Sequence, residues 1–140
     1  MKRPYALLLW LAVLATAATG LGQAWMRYML EPVDDFSAWN HPWQGTTEAL
    51  HALFGPVLAL GLGAVLAGHA AARWRHPDTS RGARRGGVVL VAAVLVLVVT
   101  GGWLTGFPDP DGDAVAWAHG IAGGLLVVGM AVHGRTARSR

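Results

Sequence analysis

Four uncharged stretches, Pro4–Met26, Ala49–Ala72, Gly86–Pro108 and Ala114–Gly134, fill most of the 140-residue chain, each 21 to 24 residues long. About 20 apolar residues are enough for a helix to cross the hydrocarbon of a bilayer. Backbone groups in lipid must be satisfied within their own element, so such segments are restricted to transmembrane helices. The expectation is an all-α membrane protein, an antiparallel bundle of four transmembrane helices at about 4–28, 49–72, 87–106 and 114–134, forming one domain over 1–140. Composition agrees: 54% of residues are hydrophobic and 14% charged, against about a quarter charged in globular chains.

Charge is segregated along this layout. Lys2, Arg3, Arg73, Arg75, Arg81, Arg84, Arg85, Arg135, Arg138 and Arg140 fall on one side of a four-pass arrangement. Glu31, Asp34, Asp35, Glu48, Asp109, Asp111 and Asp113 fall on the other, and only Arg27 and Asp78 break the pattern. Basic loops stay cytoplasmic, so both termini are expected inside and the acidic loops outside. The net charge of +3 therefore reports topology, and no nucleic-acid partner is expected. The first segment has the basic start and small residues of a secretory signal, but its uncharged span is longer than a signal core. It is expected to be retained as a helix. The chain has no cysteine, which excludes disulfides, cysteine-ligated iron–sulfur clusters and haem attached through a Cys-x-x-Cys-His motif.

Ionisable side chains at membrane depth are costly and mark function. The second and fourth segments each carry two histidines, His51 and His69, and His119 and His133. In a four-pass layout these two helices run the same way, so His51 is expected to face His119 near the outer surface and His69 to face His133 near the inner one. The first spacing is five full α-turns, roughly 27 Å; the second is roughly 21 Å and within about 40° of one face. Paired imidazoles from facing helices are what a low-spin haem b needs. Gly55 and Gly123 each follow a histidine by one turn, leaving room for a macrocycle, and Gly20, Gly22, Gly101 and Gly102 lie at similar depth. Arg27 is a candidate partner for haem propionates outside, and Arg73 or Arg85 inside.

Three outcomes stay open on these residues: two haems, one haem at His51 and His119, or none. In the last case the glycines pack helices, and the histidines sit at interfaces or at helix ends that favour positive charge. His76, before Pro77 in the basic loop, reads as a solvated loop residue. His41, in the aromatic outer segment, reads as a structural cap, with covering a haem edge, contacting a redox partner or taking a proton from a quinol as alternatives.

The motifs Asn40-His41-Pro42-Trp43-Gln44, Leu50-His51, Gly101-Gly102 and His119…His133 resemble those of small bacterial cytochrome b-like membrane proteins. They are also similar to the four-helix cytochrome b core of quinol:cytochrome c oxidoreductases. The resemblance spans almost the whole chain. It implies two stacked b haems ligated by His51, His119, His69 and His133, with Gly20, Gly101 and Gly102 as haem-clearance positions. In the oxidoreductase core both histidine spacings are near 14; the spacing of 18 in the second segment departs from that. The expected function is a multi-pass b-type cytochrome of the bacterial cytoplasmic membrane, carrying electrons between a quinol pool and a redox partner or larger complex. A quinone is a further candidate ligand, with Glu48 and Arg27 as candidates by position. The rivals are a haem-free membrane scaffold or assembly subunit, and a metal-ion or proton carrier, against which the lack of carboxylates in the four cores argues.

Overall fold

The computed structural model describes residues 3–138 other than 33, 35, 38, 78 and 108–112, with the backbone alone at 3, 4, 69, 70, 113, 134 and 136–138. The turn Asp109-Pro110-Asp111-Gly112, the side chains of Asp113 and His69, and the charges of Lys2, Arg3, Asp35, Asp78, Arg138 and Arg140 lie outside the described residues.

The described residues form helices and turns, with no strand among them. In chain order these are α1 (Arg3–Met29), α2 (Gln44–Val65), a π-helical turn (Leu66–Ala70), α3 (Ala71–Arg75), α4 (Arg81–Gly106) and α5 (Asp113–Arg138). Four spans, Tyr5–Met29, Gln44–Arg75, Arg81–Gly106 and Ala114–His133, are long and apolar enough to cross a membrane, with mean hydropathies of 1.8, 2.0, 2.5 and 1.8 over their most apolar windows.

The apolar side chains lie mostly on the outside. Among the described residues eight hydrophobic side chains are buried and thirty large ones are exposed, with Leu60 at 77% and Val99 at 68%. Leaving a leucine in water forfeits about 1.5–3 kcal/mol of burial, so this surface is suited to lipid. Aromatic residues gather toward helix ends: Trp25 and Tyr28 on α1, Trp103 and Phe107 at the end of α4 with ring centroids 4.8 Å apart, and Trp117 early in α5. Amphipathic rings settle at the membrane–water boundary.

The helices outrun the apolar stretches because polar caps extend them. α4 starts at Arg81, where Ser80 is the N-cap and its hydroxyl accepts from the Ala83 N–H at 3.3 Å. α2 starts at Gln44, five residues ahead of the uncharged stretch. Pro56 lies inside α2, where it withholds the N–H that would bond to the Ala52 carbonyl. The turn Leu66–Ala70 is π-helical, and the Ala71 N–H bonds back to the Leu66 carbonyl. The regular count of 3.6 residues per turn therefore does not run through the turn that carries His69.

The chain divides into two compact units, Met1–Leu58 and Ala59–Arg140. In the first, the Asn40-His41-Pro42-Trp43-Gln44 segment ties the end of α1 to the start of α2. Asn40 Nδ2 donates to the carbonyls of Arg27 at 3.0 Å and Leu30 at 2.8 Å, which the end of a helix leaves without intrahelical partners. The buried Gln44 accepts from the Asn40 N–H through Oε1 at 2.9 Å. The Trp39 ring covers Gly45, where a Cβ would stand 3.6 Å from it. In the second unit α4 packs on α5. A Cβ on Gly123 would lie 3.8 Å from Leu97, and one on Gly129 would lie 2.8 Å from Leu90 Cδ2, while Ala93, Ala122 and Leu126 are buried.

Candidate functional site

Each unit holds one histidine against a threonine and a glycine of the preceding long helix. In the first unit His51 points from α2 to α1. Its Nδ1 lies 3.0 Å from the Thr16 carbonyl oxygen and 3.1 Å from the Thr19 hydroxyl. A carbonyl can only accept, so Nδ1 must carry the proton. The Thr19 hydroxyl agrees, since its own hydrogen goes to the Ala15 carbonyl at 2.8 Å or the Thr16 carbonyl at 3.0 Å, leaving its oxygen to accept. Gly20 follows directly. A Cβ there would stand 2.8 Å from His51 Cε1 and 3.2 Å from Nδ1, closer than packed atoms tolerate, so the ring occupies space that only glycine leaves open.

In the second unit the pattern recurs. His119 Nδ1 lies 2.8 Å from the Thr100 hydroxyl. That hydroxyl directs its hydrogen to the Val96 carbonyl at 2.6 Å, so it accepts and His119 donates. Gly101 follows, and a Cβ on it would stand 3.2 Å from His119 Cε1. Two Thr-Gly dipeptides thus hold two imidazoles as the Nδ1–H tautomer, with the lone pair on Nε2. A ring in that state offers Nε2 as a metal donor, and ligating histidines generally donate their other N–H to an oxygen of this kind. Among the described residues no three His, Cys, Asp or Glu side chains gather into a metal-ion site. A haem brings four equatorial nitrogens of its own and needs only axial donors, for which these two rings are suited.

No family model, curated protein or solved structure matches this chain.

The remaining expected residues fall differently. Gly20 and Gly101, expected to clear a porphyrin, stand against the imidazole rings themselves. Gly55 and Gly102 face open space, and Gly123 is in ordinary contact with Leu97. His133 is half-buried on α5. Arg27 is exposed in the last turn of α1, its guanidinium 5.7 Å from the centre of the Tyr28 ring.

His41 is a cap: its Nδ1 accepts from the Trp43 N–H at 3.1 Å, and its carbonyl accepts from the Gln44 N–H at 3.0 Å. With the Nδ1 lone pair engaged, the neutral ring carries its hydrogen on Nε2. His76 is exposed and contributes its carbonyl to the basic loop, accepting from Arg84 Nη2 at 3.2 Å.

Sequence reading missed Thr16, Thr19, Thr100 and Gln23. Gln23, one turn beyond Thr19, has a buried Oε1 with no hydrogen-bond partner. Its amide sets a polar group at the level between Gly20 and Arg27.

Proposed function

We propose that the chain is a membrane b-type cytochrome in which His51 and His119 are axial ligands of a haem b, each through Nε2. Its four helices form an antiparallel bundle in a bacterial cytoplasmic membrane, both termini inside, and it carries electrons between a quinol pool and a redox partner. The single observation that carries the reading is the matched pair of modules. Both rings are held through Nδ1 against a threonine hydroxyl and a glycine, which supplies two like imidazoles with Nε2 as the nitrogen for iron, as paired axial ligation requires. The opposed order of contacts, Gly20 with His51 and Gly22 with Thr47, then Gly101 with His119 and Gly129 with Leu90, supports antiparallel pairing within each unit.

When bound, the haem supplies one-electron exchange at iron in a water-poor setting. The chain's own part is to hold the two rings through Nδ1, which leaves Nε2 as the nitrogen that would meet the iron. Gln23 and Arg27, on successive turns of α1, are the polar groups for propionates or a quinol head. His69 and His133 are the candidate ligands of a second haem. The outer carboxylates suit a basic partner.

One observation also favours a haem-free scaffold: hydrogen bonds between helices bind them together in lipid, at about 0.6–2 kcal/mol each. The two readings separate on pigment. The protein, purified in detergent from haem-replete cells, is expected to hold two haems per polypeptide by extraction and quantification. One haem would restrict ligation to His51 and His119. A colourless protein would leave the scaffold.

A further inference from the structure

We propose that Thr19 and Thr100 are positioning residues that fix the ring state of His51 and His119 and set how strongly each Nε2 donates to a bound iron. This deepens the cytochrome reading and rests on it for its redox consequence, though not for its structural part. In lipid a ring N–H without a partner is costly, so whichever tautomer finds an acceptor prevails. At both histidines Nδ1 faces a threonine hydroxyl whose hydrogen is already engaged by its own helix, joined at His51 by the Thr16 carbonyl. The glycine beside each threonine brings the ring close enough for that bond. The two features work together, since a Cβ at Gly20 or Gly101 would push the ring off its acceptor.

The electronic consequence follows from the direction of the bond. An Nδ1–H pointed at an oxygen leaves more electron density on the ring, which makes Nε2 a stronger donor. A stronger axial donor favours the more positive ferric iron over the ferrous, so each bond lowers the reduction potential. The two rings are not held alike. His119 meets the Thr100 hydroxyl at 2.8 Å, while His51 meets Thr19 at the longer 3.1 Å and also has the Thr16 carbonyl at 3.0 Å. The Thr16 acceptor is backbone, so no substitution at Thr19 removes it.

The test uses the full-length protein with its haem and the variants Thr100→Val, Thr100→Ser and Thr19→Val. Valine keeps the shape of threonine and removes the oxygen; serine keeps the oxygen. In a spectroelectrochemical titration Thr100→Val should raise the midpoint potential, Thr100→Ser should return it to the wild-type value, and Thr19→Val should raise it less than Thr100→Val. A Thr100→Val protein with full haem and wild-type potential would overturn the proposal, as would a serine variant that shifts as far as the valine one.

The structural part is read without haem, by ¹⁵N NMR of ring-labelled histidines in the apo-protein. The Nδ1–H form at His51 and His119, lost at His119 in Thr100→Val, is expected. An Nε2–H form in the wild-type chain would overturn the proposal even if Thr100→Val does not fold. A colourless wild-type protein with Nδ1–H rings would instead sink the cytochrome reading and uphold the assignment of the threonines as positioning residues.

Discussion

Alanine at His51 or at His119 is expected to strip the haem proposed to be ligated by these residues, lowering its retention by more than about 100-fold. Changes to groups merely supporting a metal ligand already cost about 10–100-fold, and here the donor atom itself is removed. The helices should survive, because the threonine left behind keeps a partner: Thr100 still donates to Val96, and Thr19 to Ala15. The lost interhelical bond is worth about 0.6–2 kcal/mol, a modest part of the stability of the fold. Circular dichroism should therefore show wild-type helix content in a protein that lacks this pigment. His133→Ala should remove one haem of two and spare the pigment of His51 and His119. His41→Ala should leave both, since the His41 Nδ1 is engaged by the Trp43 N–H at the start of α2. Unchanged haem in both His51→Ala and His119→Ala would refute the ligand assignment.

The second large effect is expected at Gly20. Alanine there would put a methyl group 2.8 Å from His51 Cε1, and the ring cannot retreat without stretching the bonds at 3.0 and 3.1 Å that hold Nδ1. Overpacking of this kind costs about 1–3 kcal/mol, and any relief swings Nε2 away from its position. Gly20→Ala should thus lower both the melting temperature of the haem-free protein and the haem content. Gly101→Ala, at 3.2 Å from His119 Cε1, should do the same more mildly. Gly55 and Gly102 form the contrast, since a Cβ at either meets nothing within 4 Å. Alanine there should leave the haem-free melt unchanged, and a loss of haem affinity alone would mark a position where the porphyrin edge lies. Melts and haem titrations of the four variants check the ranking. Equal behaviour of Gly20→Ala and Gly102→Ala would contradict it.

The helices were legible because lipid leaves few choices: an uncharged run of this length is enough to cross a bilayer, and in lipid it must be a helix to satisfy its own backbone. Their ends were less so. Apolarity marks the part of a helix within hydrocarbon, whereas α2 and α4 begin in polar sequence, where Gln44 and Ser80 take up backbone groups. The π-helical turn at Leu66–Ala70 has no marker in hydrophobic pattern, which does not register the one-residue change in bonding that defines it.

At the site, the histidines and glycines stood out, since an ionisable side chain or a missing one is conspicuous in a Leu/Val/Ala background. The threonines did not. A threonine in a transmembrane helix ordinarily bonds its own i−4 carbonyl and signals nothing more, and only the structure shows that Thr19 and Thr100 do this while accepting from a histidine. The available signal was the Thr-Gly dipeptide one helix ahead of each histidine, at Thr19-Gly20 and Thr100-Gly101. Thr105-Gly106 has the same form with no such contact among those described, which shows how weak that signal is alone. His41 caps the start of α2 through the bond that its Nδ1 accepts from the Trp43 N–H.

The central claim is that His51 and His119 ligate a haem iron from both sides through Nε2. Electron paramagnetic resonance of the oxidised, purified protein at low temperature reads this most directly. Two imidazole donors force ferric iron into the low-spin state, so the account predicts low-spin signals accounting for the bound haem, converting to high-spin or disappearing in His119→Ala. A wild-type protein whose haem is wholly high-spin, or whose low-spin signal persists unchanged in His119→Ala, would contradict it.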